Sequence, residues 1–374
     1  MPKKLIPILF RADVSHALGT GNIMRCIAFA NGLPKSFSPT FVFRNYPGSD
    51  AILPILHKKK WYIAKLPEAM SERSEISAIK TLALKTNSSL IVVDLVCASV
   101  FESPHRIADY CRKLRSIDGL YVISIEDSRL TDFTSHMAII GNTIYPADEK
   151  RKKNQNCLIL EGTKYFICHE NVTAYTKRSR IIRRVANRIL VFIGGSDVAG
   201  VTACVLAAVL ENFIDHNLEI KVILGPTMAS SLRSQIIDIV ARLQHVELIP
   251  FTDNIGALLL WADIAIVGEG TIKFEAAILG TPTLVISQFD HDSKPMRDFL
   301  SIGCAMHLKF SVDLTSIMIF KKMFDLLADY SARLAMSTAA KNFFDGKAVQ
   351  RIYNKFKEHL ILDEPEEVIK NGMG

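Results

Sequence analysis

The sequence predicts an α/β protein with two doubly wound, Rossmann-like domains that face each other across a cleft. Short apolar runs alternate with stretches of helical spacing along most of the 374 residues, a pattern typical of parallel sheets covered by helices on both faces. The alternation weakens between about residues 144 and 187 and then begins again, which indicates a second domain. Glycine-rich turns follow apolar runs in both series, at the strand ends where such sheets bind ligands.

Composition narrows the class of protein further. A hydrophobic fraction of 49% and a charged fraction of 22% are typical of soluble globular chains. Because no apolar run reaches the length of a membrane span and no secretory signal is present, we expect a cytoplasmic protein. The seven cysteines are scattered without a Cys-x-x-Cys pair, which favours reduced thiols. The net charge of +7 suits an anionic ligand, but no nucleic-acid-binding module is present, so no nucleic-acid partner is expected.

The predicted domains have the following limits. We expect an N-terminal domain with a basic linker at residues 1–180, a C-terminal domain at 181–345, and at 346–374 a helix that returns to the first domain followed by a loose tail. The predicted strands of the first domain are Leu5–Phe10, Thr40–Arg44, Trp61–Lys65, Leu90–Asp94 and Leu120–Ile125, and its helices include Ser74–Thr86 and Pro104–Arg115. The predicted strands of the second domain are Arg188–Ile193, Glu219–Leu224, Val246–Pro250, Asp263–Val267 and Thr283–Ile286, and its helices are Val201–Phe213, Met228–Leu243 and Asn254–Trp261.

Two basic runs lie in the stretch between the two series. They occupy residues 150–153 and 177–180, and Arg183-Arg184 follows closely. Such runs are typical of the solvated face of a linker. They could equally form a positive rim around an anionic substrate.

The turn Gly19-Thr20-Gly21-Asn22 is the first candidate for ligand binding. Glycines let the backbone approach a ligand closely, and the N-terminus of the following helix suits a phosphate or a sugar hydroxyl. A plain tight turn is the alternative, with Asn22 as the helix N-cap. In the helix, Ile23, Ile27 and Ala30 mark the buried stripe, and Gly32 fits the C-cap.

Two further glycine-rich turns lie in the second series. Gly194-Gly195-Ser196-Asp197 could hold a diphosphate oxygen, or it could be a structural turn with Ser196 or Asp197 as the cap. Gly268, Gly270 and Thr271 could hold the pyrophosphate. Glu275 follows one helical turn later and could accept hydrogen bonds from both hydroxyls of a ribose, or it could be a surface residue.

Candidate carboxylates also lie at strand ends. Asp13, Asp94 and Asp127 could face the cleft or serve as turn and cap residues. His291 lies between Asp290 and Asp292, but no second cluster has metal-ligand spacing, so neither a metal nor a cofactor is expected.

Taken in order, these motifs resemble one family, the nucleotide-sugar hydrolases of pseudaminic acid biosynthesis and their spore-coat polysaccharide relatives. These proteins are similar in fold to GT-B glycosyltransferases such as MurG. The matching elements are Phe10-Arg11-Ala12-Asp13, Gly19-Thr20-Gly21, Met24-Arg25-Cys26, Gly162-Thr163-Lys164-Tyr165, Gly194-Gly195-Ser196-Asp197 with Thr202, Gly268–Glu275, Leu279-Gly280-Thr281-Pro282 and Asp345-Gly346-Lys347.

The resemblance implies that the second domain binds UDP and that the sugar points at the Gly19–Asn22 turn. A glycan acceptor is a further expected partner if the reaction is a transfer. The residues expected to bind the substrate are Arg11, Gly19, Gly21, Arg25, Asp94, Gly194, Gly195, Ser196, Gly268, Gly270, Thr271 and Glu275.

Three positions depart from the family pattern. Asn22 stands where the family has a histidine that activates water, and an amide cannot take a proton near neutral pH. His169 stands near a family arginine, and residues 289–292 replace a Glu-Asn-Gln run. Because the three depart together, natural divergence explains Asn22 better than a single inactivating change.

Three functions follow from these departures. The first is a hydrolase with an altered catalytic position, in which Asp13, His16 or His291 replaces the base beside Asn22. The second is a GT-B glycosyltransferase that passes the sugar to a glycan acceptor. The third is a non-catalytic protein that binds a nucleotide sugar.

Overall fold

The structure, a computed structural model, confirms the predicted pair of doubly wound α/β units. It describes residues 5–95, 104–125, 133–146, 156–212, 217–252, 254–288, 293–309 and 314–360. The predictions for Asp127, His291, the basic run at 150–153 and the tail lie outside these residues. None of the helices in the described part of the chain has both the length and the apolar character needed to span a bilayer.

The first sheet has seven parallel strands in the order β3-β2-β1-β4-β5-β6-β7. The strands are β1 (Ile6–Ala12), β2 (Phe37–Arg44), β3 (Tyr62–Leu66), β4 (Leu90–Asp94), β5 (Tyr121–Ile125), β6 (Met137–Ile140) and β7 (Leu158–Glu161). The five predicted strands are all present, with the largest shift at β2. The apparent weakening of the pattern was misleading, because β7 lies inside that stretch and β6 just before it, both only four residues long.

The second sheet has six parallel strands in the order β10-β9-β8-β11-β12-β13, the same winding as the first six strands of the first sheet. The strands are β8 (Arg188–Phe192), β9 (Glu219–Ile223), β10 (Val246–Ile249), β11 (Ile264–Val267), β12 (Thr283–Ile286) and β13 (Ala305–Leu308). The edge strand β13 was not predicted, since its sequence Ala-Met-His-Leu is neither strongly apolar nor β-branched.

Helices cover both sheets. They are α1 (Gly21–Gly32), α2 (Leu53–Lys58), α3 (Glu72–Thr86), α4 (Pro104–Arg115), α5 (Glu170–Thr173), α6 (Val201–Asn212), α7 (Ser230–Val240), α8 (Ile255–Trp261), α9 (Ile272–Ile278), α10 (Lys294–Ser301), α11 (Ser316–Ala328), α12 (Tyr330–Phe343) and α13 (Ala348–Leu360). Short 3₁₀ turns occur at Ser49–Ile52 and Thr163–Tyr165.

The final helix α13 packs on the first sheet although it follows the second in sequence. Ile352 and Phe356 are fully buried in the core cluster that contains β1 and α1, and the rings of Phe37 and Phe356 meet edge to face at 5.9 Å. A Cβ atom on Gly32 would lie 2.6 Å from Cγ1 of Val349. Gly32 is therefore the last residue of α1 and a close-packing site, not the predicted C-cap. The domain limits at 180 and 345 stay predictions.

The basic run at 177–184 anchors the linker to the second half of the chain. The guanidinium of Arg180 donates to the carbonyl oxygens of Leu259 (2.6 Å) and Ala262. Arg183 makes a bidentate ion pair with Asp263, from Nε to Oδ1 at 2.7 Å and from Nη2 to Oδ2 at 2.5 Å. Since neither arginine lines the cleft cavity, this run does not form a positive rim, and only its exposed members fit the solvated-linker interpretation.

Candidate functional site

A cavity of about 380 Å³ lies between the carboxyl ends of the two sheets. That volume falls within the usual range for small-molecule sites. Eleven of the predicted site residues line it: Gly19, Gly21, Asn22, Arg25, Asp94, Gly194, Gly195, Ser196, Gly270, Thr271 and Glu275. The structure therefore brings the three glycine-rich turns, predicted from separate parts of the sequence, into one site.

The first and second turns touch each other across the cleft. A Cβ atom on Gly195 would lie 2.6 Å from Oγ1 of Thr20, and one on Gly19 would lie 3.5 Å from Oγ of Ser196. Gly19 also has a φ of +70°, which favours glycine. These glycines thus permit a close approach between the two halves of the chain.

Asn22, Arg25 and Asp94 form one hydrogen-bonded group on the first-sheet side of the cavity. The amide Nδ2 of Asn22 donates to Oδ1 of Asp94 at 2.6 Å. Arg25 donates from Nε to Oδ2 (2.7 Å) and from Nη2 to Oδ1 (2.6 Å) of the same carboxylate. The predicted N-cap role of Asn22 is wrong, because Thr20 holds the cap position and Asn22 lies inside α1.

The second turn ends in a helix cap. The carboxylate of Asp197 accepts hydrogen bonds from the backbone N–H groups of Val201 and Thr202, each at 2.9 Å, and so caps α6 as predicted. Burial raises the pKa of Asp197, while the hydrogen bonds from Thr202 and Val201 lower it. Gly194, Gly195 and Ser196 remain at the cavity wall.

The third turn places Glu275 at the cavity. Burial raises the pKa of its carboxyl group to about 7, against an opposing hydrogen bond from the backbone N–H of His169 at 3.2 Å. The group therefore takes up a proton at a much higher pH than an exposed glutamate does. Lys273, on the same helix, donates to the main-chain oxygens of Glu269 and Gly270 and supports the turn.

Arg11 and Asp13 are not at the cavity, which corrects two predictions. Arg11 is fully buried and donates to Asp13 at 2.5 Å and to Glu75 at 2.7 Å. Glu75 also accepts from Arg44 (2.8 Å) and Tyr110 (2.7 Å). Burial alone would raise the pKa of Glu75, but the charge and hydrogen bonds of Arg11 lower it. This buried charge cluster fixes the end of β1 and the start of the first turn.

Three other predicted residues also lie elsewhere. His16 is exposed and does not line the cavity; its Nδ1 lies 2.7 Å from the carbonyl oxygen of Thr227, which joins the two halves of the chain. Gly268 packs against Ile193, the residue that follows β8, because a Cβ atom there would lie 2.1 Å from its carbonyl oxygen. His291 lies outside the described residues, so its role as a base stays a prediction.

The cavity is also lined by residues that the sequence did not identify as site residues, among them Asn142, His169, Phe251 and Glu269. Asn142 follows β6, a strand that was missed. Its Oδ1 atom is buried without a hydrogen-bond partner among the described residues. Glu269 lies within the predicted third turn, and its position between two glycines at a strand end was the available signal.

The chemistry of the cavity suits an anionic, partly aromatic ligand. The N-terminus of α1 faces it with no acidic residue in the first turn, so its positive end is available to a phosphate. Phe192 and Phe251 line the second-sheet side, with ring centroids 6.5 Å apart. Within the described ranges, no group of three or more histidine, cysteine or acidic side chains is arranged to hold a metal ion.

Two facing Rossmann-like domains with a cleft between them define the GT-B class of fold, and the comparisons with known proteins agree. Among curated proteins, the chain is similar to the spore coat polysaccharide biosynthesis protein SpsG of Bacillus subtilis (strain 168), with 25% identity over 344 residues that cover 91% of this chain and 95% of that protein. No protein-family model matches the chain.

The solved structures support the same fold. The S. aureus MnaA–UDP structure matches with a TM-score of 0.63 and 12% identity, over 96% of this chain and 98% of that chain. MurG of Acinetobacter baumannii matches with a TM-score of 0.59 and 11% identity, over 94% and 99% of the two chains.

Proposed function

We propose that this protein binds a UDP-sugar in the cleft cavity and breaks the bond between the anomeric carbon and the phosphate oxygen, as a step in cell-surface glycan biosynthesis. The observation that carries this proposal is the meeting of three glycine-containing turns, from both sheets, around one cavity. The similarity to SpsG, whose name assigns it to spore coat polysaccharide biosynthesis, supports the pathway class.

The second-sheet side of the cavity is the proposed nucleotide site. Phe192, Ile223 and Phe251 offer an apolar wall to a flat base. Glu275 is placed to accept hydrogen bonds from ribose hydroxyls, and the backbone of Gly194–Ser196 can donate to the diphosphate. The sugar then extends toward Asn22, Arg25 and Asp94.

The proposed reaction is hydrolysis with an altered catalytic position. Asn22 cannot take the proton of water near neutral pH. Its amide is instead fixed by Asp94 and can orient a sugar oxygen or a water molecule. Transfer to a glycan hydroxyl is the second candidate reaction, favoured by the same absence of a base at position 22.

Calorimetric titration with UDP and with UDP-N-acetylhexosamines tests the binding proposal. At about pH 8.5, above the raised pKa of Glu275, we expect binding to the wild type and at least tenfold weaker binding to Glu275→Gln, since a hydrogen bond to a charged group is worth about 1.5–3 kcal/mol. Glu247→Gln is the matched control, because Glu247 is exposed and pairs with Lys221 on the outside of the second sheet. Binding of neither ligand to the wild type would rule out a UDP-sugar site.

Measurement of UDP release separates the candidate reactions. Release from a UDP-diacetamido-trideoxyhexose without an acceptor indicates hydrolysis, and release only with a glycan acceptor indicates transfer. Binding with no release under either condition identifies a nucleotide-sugar-binding protein and contradicts bond cleavage.

A further inference from the structure

Three side chains form a continuous hydrogen-bonded row from the cavity to the edge of the second sheet. The hydroxyl of Ser287 donates to Oε1 of Glu269 at 2.6 Å and lies 2.6 Å from Nε2 of His307. Glu269 lines the cavity, Ser287 is fully buried, and His307 is half-buried on the edge strand β13. One end of the row thus faces the proposed substrate and the other lies near the protein surface.

The sheet topology explains how this row forms. Strands β11, β12 and β13 are neighbours and all run in the same direction. Glu269 comes just after β11 and Ser287 just after β12, while His307 pairs with Val285 inside the sheet. Parallel neighbours place their carboxyl ends along one edge, so the three side chains follow each other across the sheet.

We infer that Glu269, Ser287 and His307 act as a proton relay for the reaction in the cleft. This inference rests on the proposed bond cleavage, for which Asn22 supplies no base. Glu269 is then the catalytic proton acceptor, and Ser287 and His307 are residues that act through it. The relay serves either acceptor, because water and a glycan hydroxyl both lose one proton.

The proton balance of the step is complete. The O–H bond of the acceptor breaks, its oxygen bonds to the anomeric carbon, and the bond from that carbon to the phosphate oxygen breaks with its electron pair left on UDP. The proton goes to Glu269. The protonated carboxyl group then donates to Oγ of Ser287, and the hydroxyl, which donates to Glu269 while that group is a carboxylate, turns to Nε2 of His307. With the imidazole protonated at Nδ1, Nε2 accepts this proton, so that a carboxylate and an imidazolium result. A serine hydroxyl can do this because it donates one hydrogen bond and accepts others, and histidine titrates near neutral pH.

Among the described residues, Lys309 follows β13, and the neighbouring helices α9 and α10 carry further charged groups. They are Lys273, which bonds the main-chain oxygens of Glu269 and Gly270, the pair Lys294–Asp298 at 2.5 Å, and Arg297. Because none of them takes part in the two short contacts through Ser287, a variant at Ser287 breaks the row without removing a charge.

Nitrogen NMR of the full-length protein tests the coupling without any substrate. The His307 signal is assigned by its loss in His307→Gln, and its titration is compared between the wild type, Glu269→Gln and Ser316→Ala. We expect the His307 titration to move to lower pH in Glu269→Gln, because a hydrogen-bonded carboxylate favours the imidazolium. Ser316→Ala removes a Ser–Glu hydrogen bond on the exposed side of α11 and should change nothing. An unchanged titration in Glu269→Gln overturns the relay.

Kinetics test whether the coupling serves the reaction. We expect kcat for UDP release to fall about 10²-fold or more in Glu269→Gln and about tenfold in Ser287→Ala, since proton transfer contributes about 10²–10⁴ in rate. KM should stay within about twofold, and Ser287→Thr should restore kcat because it keeps the hydroxyl. Unchanged kcat in Ser287→Ala overturns the relay even if the NMR coupling is present. A wild type that binds no UDP-sugar contradicts the proposed function instead, and the His307 titration still shows whether the proton link exists.

Discussion

At the scale of single residues, the environment of a side chain decides its chemistry more than its type does. Asn22 would serve as a cap if it stood two positions earlier, where Thr20 is, but inside α1 its amide donates to Asp94. Asp13 is a carboxylate at a strand end, as predicted, yet Arg11 occupies both of its oxygens away from the cavity. Residue type and local spacing could not distinguish these cases. Asp94, the partner of Asn22, lies 72 residues along the chain, and Arg11 is held beside Asp13 by Glu75, 64 residues further on.

The raised pKa of Glu275 predicts a pH-dependent stability. Its value of about 7 lies above the ordinary 4.5, so the folded state favours the protonated form. The stabilising contribution of Glu275 to the free energy of unfolding is therefore fully present below about pH 4.5, and it is lost as the pH rises through 7. We expect Glu275→Gln to be more stable than the wild type at about pH 8, by up to about 3 kcal/mol, and equally stable at about pH 4.

Urea denaturation at the two pH values measures this difference. Glu247→Gln serves as the control because its carboxylate is exposed, and its stability should follow that of the wild type at both values. If the difference in the free energy of unfolding between Glu275→Gln and the wild type were the same at both pH values, the raised pKa of Glu275 would be contradicted.

The close contact between the first two turns predicts an effect of a single methyl group. Gly195→Ala places a Cβ atom 2.6 Å from Oγ1 of Thr20 and 2.9 Å from its backbone nitrogen, so the two halves of the chain must move apart. We expect a loss of about 1–3 kcal/mol in the free energy of unfolding, measured by chemical denaturation. Gly21→Ala is the matched control, since a Cβ atom there meets nothing within 4 Å. Equal stability of the two variants would show that the turns do not touch.

At the scale of elements, the sequence predicted those strands that carry strong apolar signals. The runs Leu90–Asp94 and Thr283–Ile286 were predicted with the bounds that the structure has, because both are entirely buried between two layers of helix. The strands β6, β7 and β13 have four residues each, as β12 does, but β7 ends in Glu161 and β13 contains His307, so their apolar runs are shorter. β6 is as apolar as β12, and its sequence does not explain why it was missed. Because β6 was not predicted, Asn142, which follows it and lines the cavity, was not recognised as a site residue.

The linker before β8 gives a test at this scale. Arg180 satisfies two buried carbonyl oxygens and the hydroxyl of Thr281, and burial lowers its pKa to about 10, below its ordinary 12.5. We expect Arg180→Ala to lower the free energy of unfolding by about 2–4 kcal/mol, because the carbonyl oxygen of Ala262 loses its side-chain donor and that of Leu259 keeps only the hydroxyl of Thr281. Lys177→Ala, in the same run but exposed, should change it by less than about 0.5 kcal/mol. Thermal denaturation of both variants provides the comparison, and similar losses would mean that the run acts only through its charge.

At the scale of the whole molecule, the two-domain architecture could be predicted from the sequence, but the set of residues that line the cavity between the domains could not. Two rounds of strand and helix predicted two doubly wound domains, and the structure confirms them. The sequence also placed all three glycine-rich turns at strand ends. The sequence did not show which of the nearby polar residues reach the shared cavity. His16 instead contacts Thr227 of the second half, and Arg11 is held within the first half by Asp13 and Glu75.

A ligand that spans the cavity should protect both halves of the chain. Hydrogen exchange measured with and without a UDP-sugar should slow at the backbone amides of Gly19–Asn22 as well as at those of Gly194–Ser196 and Glu269–Thr271, because all three turns line one cavity. UDP alone should slow mainly the last two turns. Protection confined to the second half in both experiments would place the sugar outside the first-sheet side of the cleft.

The position of the final helix has a consequence for synthesis of the protein. The core beneath β1 and α1 includes Ile352 and Phe356, which leave the ribosome long after the first sheet itself. Until α13 has been synthesised, nothing packs on the surface of α1 around Gly32, and the N-terminal half leaves that apolar surface exposed to solvent. The second half can complete its own core without any residue of the first sheet. We therefore expect the half that is translated last to finish folding first.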